Sequence, residues 1–266
     1  MGMAMEFENL DFEVRHGLAR LILNRPQAAN AFDLAMAREL IEVATICDED
    51  PRIRVVLLTG AGRLFSAGGD LRSFAASEDE IPTLMKATAE ALHVAVAKFA
   101  RMSAPLVAAV NGAAAGAGMS LVTMTDIAIA AESATFSMAY TAAGLTPDGG
   151  STYFLPRVVG MRRAKELILT NRRLSAAEAL EWGIVERVVP DGELMPAAEE
   201  LARSLASGPT RAFGATKKLL ITGQTASLEE QLDAESSAIV AMTRTSDGHE
   251  GIAAFLEKRK PVFNGE

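Results

Sequence analysis

The 266-residue chain holds almost none of the residues that metal and disulfide chemistry use. It has one cysteine, Cys47, and three histidines, His16, His93 and His249. A single cysteine excludes an intrachain disulfide framework and points to a reducing compartment, so a cytoplasmic protein is expected. Scattered histidines without cysteine neighbours give no zinc-ligand spacing, so no metal is expected. They also leave few candidates for a histidine general base. Positive charge is scarce too: 26 basic residues against 34 acidic ones give a net charge of −8. With no lysine-rich run, the chain lacks the clustered charge that phosphates demand, and 5% aromatic content leaves little for base stacking. No nucleic-acid partner is expected. The N-terminal stretch MGMAMEFENLDFE carries acids where an export signal needs basic residues, and Glu6 stands where a myristoylation pattern needs Ser or Thr.

Apolar residues are not lacking, at 49% of the chain. A chain this long buries roughly three quarters of its unfolded surface and needs no covalent staple. One stretch, Met102 to Thr125, contains no charged residue and meets the length of a membrane span. Pro105, Asn111, Gly112, Gly116 and Gly118 break it up, so it is expected to form a buried strand, turn and helix, with no membrane partner.

The pattern of the first 150 residues alternates strands and helices. Phe12–Val14 and Leu21–Leu23 are expected to pair around His16-Gly17. Asp33 can cap a helix carrying Leu34, Ala37, Leu40, Ile41 and Ala44 on one face. Arg54–Thr59 is expected as a buried strand, Gly60–Asp70 as a glycine-rich loop, Ile81–Met102 as a long helix and Leu106–Val110 as the next strand. A short helix from Gly116 to Thr123 and strands over Asp126–Ala130 and Ala134–Ser137 complete the pattern. Beyond Ser151 the strand signal fades and helices dominate: Ala164–Leu169, Ala176–Trp182, Pro196–Leu205, Arg211–Ile221, Leu228–Met242 and Gly248–Lys258. Such an order argues for an α/β core followed by a helical C-terminal part.

Two glycine-rich loops offer incomplete dinucleotide fingerprints. The first, TGAGRLFSAGGDL, has Phe65 where the last glycine of G-x-G-x-x-G belongs, and the second, NGAAAGAGMSL, has Leu121 there. Ser120 sits in Gly-Met-Ser-Leu-Val, which lacks the final glycine of a nucleophile elbow and has no His–Asp partners.

Taken together, the loops are more specific. FSAGGDL, then PLVAAVNGAAAGAGMSL, then GLTPDGGSTYFLPRVVG and EGIAAFLEKRKPVF, with LNRPQAANAF near the N-terminus, closely resemble the crotonase family of enoyl-CoA hydratases and isomerases. The resemblance extends from about Phe7 to Phe263. It implies a ββα spiral acyl-CoA-binding core over residues 1–200 and a helical C-terminal trimerisation region over 201–266, assembled as a homotrimer or a dimer of trimers. It also implies an acyl-CoA substrate, carried as a coenzyme A thioester, and no permanently bound cofactor.

By motif position, the resemblance assigns the thioester carbonyl to the backbone N–H groups of Gly69 and Ala117. Backbone donors suit an oxygen on which charge grows as the thioester becomes an enolate. Alanine at the second position requires a negative φ. Ala67 and Leu71 match positions that meet the adenine of CoA, and Arg25 and Ala28 match early CoA contacts. Phe255 and Lys258 match residues that reach the CoA of a neighbouring subunit, although Lys258 also reads as a solvated helix end. His93 stands at a position often histidine in the isomerase subgroup and in the dehalogenases, and reads first as a helix-packing residue that lines the acyl pocket, where Tyr140 is expected too.

The chain departs from the hydratase pattern at both catalytic glutamates, where Ser120 and Tyr140 stand instead. Without a carboxylate pair, nothing obvious holds and deprotonates an attacking water. An acid appears eight residues on: Asp148, at a position that carries a catalytic aspartate in the family's isomerases and in its 4-chlorobenzoyl-CoA dehalogenases. The same residue, in Pro-Asp-Gly-Gly before a helix, also reads as a turn residue or N-cap. The resemblance therefore implies a double-bond shift or ring rearrangement of an enoyl-CoA. The alternatives are atypical hydration, dehalogenation, and a silent acyl-CoA- or RNA-binding homologue.

Overall fold

The computed structural model describes residues 3–76 and 80–266. The chain opens with β1 (Met3–Glu6), β2 (Leu10–Arg15) and β3 (Leu18–Leu23), paired antiparallel. His16 and Gly17 connect β2 to β3 with φ of 50° and 80°, the two left-handed residues that a tight hairpin turn needs. Helix α1 (Leu34–Glu49) starts on Asp33, whose carboxylate accepts the N–H of Met36 at 2.8 Å. Strand β4 (Val55–Gly60), helices α2 (Leu71–Ala75) and α3 (Ile81–Arg101), and strand β5 (Leu106–Val110) follow. The uncharged stretch then forms β6 (Ala114–Ala115) and α4 (Ala117–Met124) before β7 (Ile127–Ala131) and β8 (Thr135–Ser137). Among the described residues no helix is long and apolar enough to cross a membrane.

The strands form a seven-stranded sheet in the order β1-β2-β3-β4-β5-β7-β10 and a three-stranded one in the order β6-β8-β9. From β3 onward the larger sheet is parallel. All residues of β4 and β5 are buried, as expected of strands covered on both faces. In β4, Val56 and Leu58 enter the main core with α1 and α3, whereas Val55 and Leu57 face a second core against Leu194, Ala198 and Ala202.

The second half is mostly helical: α5 (Ser151–Val159), α6 (Met161–Thr170), α7 (Ala176–Glu181), α8 (Leu194–Ala206), α9 (Thr210–Thr222), α10 (Leu228–Met242) and α11 (Ser246–Leu256). It is not free of strands. β9 (Leu174–Ser175) pairs with β8, and β10 (Arg187–Val189) extends the large sheet beside β7. These two- and three-residue strands are too short to show a period, and only the neighbouring strand reveals them. Helix α8 runs through residue 200 and covers the second face of the sheet. Helix α9 is tied to the core by Lys217, whose ammonium lies 2.7 Å from the Asp126 carboxylate and 3.2 Å from the carbonyl of Ala104.

Candidate active site

Strand β4 delivers the chain into the first glycine-rich loop, and Asn30 holds that loop from behind. Asn30 is fully buried with a left-handed φ of 52°, and its amide donates to the carbonyls of Ala61, Leu64 and Phe65 at 2.8–3.2 Å. Ser66, also fully buried, donates its hydroxyl to the carbonyl of Asn30. On its other side Ser66 pairs with the second loop, accepting the N–H of Ala115 at 2.9 Å. The two loops are pressed together where side chains are absent. A Cβ on Gly118 would lie 2.6 Å from the carbonyl oxygen of Ser66, and one on Gly68 would lie 2.8 Å from that of Ala115. Neither contact is one that a real Cβ tolerates.

The loops leave two N–H groups unused. Phe32 pairs with Gly69 by donating to Gly68 and accepting from Asp70, so the N–H of Gly69 points away from that ladder. Ala117 is the first residue of α4, where an N–H has no intrahelical acceptor. Its φ is negative, as alanine requires, and Gly116 before it takes the turn at φ 51°. Among the described residues neither N–H meets a protein acceptor. Both residues line one cavity of about 340 Å³, walled by apolar side chains that include Phe74, Met85 and Leu92. Ala67, Leu71, Tyr140 and Asp148 line the same cavity. The positive end of α4 adds to the donor at Ala117.

Asp148 reaches the cavity from the loop before α5. Its two glycine successors have φ of 59° and 78°, and a Cβ on Gly149 would approach Ser120 to 3.0 Å. The backbone carbonyl of Asp148, rather than its carboxylate, meets the start of α5: it accepts the N–H and hydroxyl of Ser151 at 3.1 and 2.9 Å. Gly150 occupies the N-cap, which has no side-chain cap. The helix-cap reading of the Asp148 side chain is therefore corrected, because two left-handed glycines separate it from the helix. Instead the carboxylate accepts the Tyr140 hydroxyl at 2.6 Å. Ser120 stands behind both, 3.0 Å from the Tyr140 oxygen and 3.1 Å from the Asp148 carbonyl. Burial pushes the Tyr140 phenol far above its ordinary value, reinforced by the charge of Asp148 and the bond to it. Tyr140 thus remains a hydrogen-bond donor.

The other candidates lie apart from this cavity. His93 is exposed and accepts the N–H of Gly149 on Nε2 at 3.1 Å. It lines a second cavity, of about 570 Å³, which shares Thr146 and Asp148 with the first. The guanidinium of Arg25 is bound within the protein, 2.9 Å from Asp33 and 3.1 Å from Asp70. Ala28 ends a short 3-10 turn over Pro26–Ala28. Phe255, 82% exposed, and Lys258 lie at and just beyond the end of α11. Among the described residues no group of three or more His, Cys, Asp or Glu side chains converges as a metal site would require. The clasp formed by Asn30 and Ser66 escaped the sequence reading. Its available signal was a pair of small polar residues inside otherwise apolar motifs, each buried where an unpaired polar group would be costly.

Comparison with known proteins agrees with this architecture. Residues 13–266 match the enoyl-CoA hydratase/isomerase family model. The chain is 42% identical over 254 residues to the 1,2-epoxyphenylacetyl-CoA isomerase of Escherichia coli K12, covering 95% of this chain and 97% of that protein. It is 34% identical to 4-chlorobenzoyl coenzyme A dehalogenase-2 of an Arthrobacter species, over 94% of this chain and 91% of that one. A crystal structure of an enoyl-CoA hydratase from Bacillus anthracis superposes with a TM-score of 0.90 at 37% identity, covering 97% of this chain and all of that one. Relatives that isomerise, dehalogenate and hydrate share the scaffold, and the chain belongs to the enoyl-CoA hydratase/isomerase family, the crotonases.

Proposed function

We propose that this protein is an enoyl-CoA isomerase that moves a double bond, or rearranges a ring, through an enolate of a coenzyme A thioester. One observation carries the proposal: among the described residues lining the cavity, Asp148 is the only carboxylate, and the unpartnered N–H groups of Gly69 and Ala117 border the same space. The thioester oxygen would accept both N–H groups. Asp148 would take a proton from C2, the electron pair would spread through the thioester and the adjoining C3–C4 double bond, and charge would build on the held oxygen. The protonated Asp148 would return its proton at C4, leaving the C2–C3 double bond. Each donor is worth about 3–4 kcal/mol in the transition state, by analogy with measured oxyanion holes.

Hydration is the less supported reading, because the hydratase glutamate positions hold Ser120 and Tyr140, neither of which is ionised near neutral pH to take a proton from water. Ala67 and Leu71, which line the cavity, are proposed to meet the CoA moiety together with Arg25 and Ala28. Phe255 and Lys258 would reach the CoA of a neighbouring subunit. Residues 1–200 would form the acyl-CoA core and 201–266 the assembly region of a homotrimer or dimer of trimers. No permanently bound cofactor is proposed.

An acyl-CoA panel followed by NMR in deuterated water tests the function. Label at C2 and C4 of the recovered thioester, without a 3-hydroxy product, is expected. A 3-hydroxyacyl product would overturn the proposal in favour of hydration, and chloride released from 4-chlorobenzoyl-CoA in favour of dehalogenation. No exchange and no product would leave a silent acyl-CoA binder.

A further inference from the structure

The two residues that replace the family's glutamates are bonded to the acid that remains. Tyr140 donates its hydroxyl to Oδ1 of Asp148 at 2.6 Å, the short distance of an O–H bond to a charged acceptor. Among the described residues Oδ2 accepts no hydrogen bond. With the Tyr140 proton committed to Asp148, Ser120 can meet Tyr140 only as a donor, its one proton shared between the Tyr140 oxygen and the carbonyls of Asp148 and Gly116. Donation into the Tyr140 oxygen polarises its O–H and strengthens the bond that it makes. Ser120 is fully buried, its hydroxyl held among Tyr140, the carbonyl of Asp148 and the carbonyl of Gly116 at 3.0–3.2 Å.

The backbone is shaped for this contact. Ala139, immediately before Tyr140, has φ of 54°, a conformation that costs a non-glycine residue energy and persists only where the surroundings enforce it. The carbonyl of Tyr140 then accepts the N–H groups of Ala143 and Leu145 at 2.9 and 3.0 Å. Both the ring and the acid thus sit on anchored backbone, with Ser120 of α4 between them. That same helix begins with the oxyanion donor Ala117, so donor and acid are registered to one element.

We propose that Tyr140, with Ser120 behind it, is a positioning residue that holds Oδ1 of Asp148 so that Oδ2 alone carries the proton between the two substrate carbons. The proposal rests on Asp148 being the base. A carboxylate held by one oxygen turns less freely and trades its proton with solvent more slowly between abstraction and return, so part of the proton taken from C2 reaches C4 before it exchanges. The clamp also occupies the oxygen on which a second, hydrating water would depend. Tyr140 and Ser120 are thereby specificity-determining: they replace two charged groups with a device that keeps the surviving carboxylate on a single task.

The test uses 3-hexenoyl-CoA deuterated at C2, in ordinary water, with the full-length enzyme. The wild type is expected to carry a measurable fraction of the label from C2 to C4. Tyr140→Phe is expected to lower kcat about tenfold to a hundredfold, the range that a hydrogen bond to a charged group commands, with KM nearly unchanged. It is also expected to lower the carried fraction at least twofold. Ser120→Ala should move both quantities in the same direction by less. The carried fraction is a ratio set by folded molecules alone, so partial misfolding does not change it. Tyr140→Phe with wild-type kcat and label transfer would overturn the clamp, as would a wild type that carries no label. Should Tyr140→Phe not fold, Ser120→Ala decides by the same two readouts. Asp148→Asn keeps the two failures apart: full activity in that variant, or a wild type inert across the whole acyl-CoA panel, would overturn the isomerase reading itself.

Discussion

The site-bearing half and the C-terminal helices treat their apolar residues in opposite ways. Every residue of α4 is buried, and its neighbours along β5 are buried as well. Helix α10 buries none: Leu228, Leu232 and Ile239, spaced to share one face, are 68%, 53% and 68% exposed. Around the two glycine-rich loops the chain completes its own packing, to the point that glycine is the only residue that fits at positions 68 and 118. Along α10 and α11 it leaves large side chains unfinished, Phe255 and Leu256 among them. A rigid site must be specified within one chain, because its geometry is held by contacts a fraction of an ångström from clash. In the proposed homotrimer, the apolar area along α10 would be covered by another copy. Lys217 and Arg54 mark the seam: Lys217 binds α9 to Asp126, and Arg54 reaches Thr210 and the carbonyls of Gly208 and Phe263.

The largest effect that should separate the two regions is catalytic. Asp148→Asn is expected to lower isomerisation by about 10²–10⁴-fold, the range of general acid–base catalysis. Acyl-CoA affinity, melting temperature and sedimentation should stay as in the wild type. The reverse pattern is expected of Leu232→Asp combined with Ile239→Asp. Fully burying such side chains is worth about 1.5–3 kcal/mol each, so charging both should shift the assembly to smaller species in sedimentation while leaving far-UV circular dichroism unchanged. An unaltered sedimentation coefficient would remove α10 from the assembly face.

A third variant probes the dense region. Gly118→Val forces a side chain against Ser66 and is expected to cost about 1–3 kcal/mol, as overpacking does. Calorimetry should show this loss together with weaker acyl-CoA binding, since the loops separate where the donors meet. The smallest signal is spectroscopic. In a Tyr153→Phe variant, Tyr140 is the single tyrosine, and its raised value predicts no tyrosinate absorbance up to about pH 11 in the folded protein. An unfolded tyrosine ionises near 10. The stability due to this shift is therefore complete below pH 10 and is lost as pH rises beyond it. Cys47, which lines neither cavity, offers a control: burial, aided by Asp50 and Asp48, pushes its thiol up to about 12. It should resist thiol reagents at pH 8 until the chain unfolds.

Much of this was legible beforehand, for reasons that differ by element. The helix after Asp33 and the strand before Gly60 announce themselves because capping and continuous burial leave a local imprint. Strands β9 and β10 leave none, being shorter than any period and held only by their partners. The glycines of both loops stood out, but which of them exclude a side chain depends on what lies opposite: Ser66 for Gly118 and Ala115 for Gly68. Asn30, 31 to 35 residues from the carbonyls it holds, gave no sign of its importance beyond its place in a motif.

The resemblance of its motifs pointed to the family, while patterning gave the α/β class and composition the small set of chemical groups available, because those follow from residue types and their spacing along the chain. The tertiary structure decided how the groups are used. It brought Gly69 and Ala117 to one cavity with their N–H groups unspent, and turned the Asp148 carboxylate away from the helix it could have capped. It also joined Tyr140 to that carboxylate across 8 residues of sequence, and Ser120 to the backbone carbonyl of Asp148 across 28. Hydrogen bonds of this kind form between positions that only the folded sheet and helices bring within reach, and no spacing in the sequence encodes them.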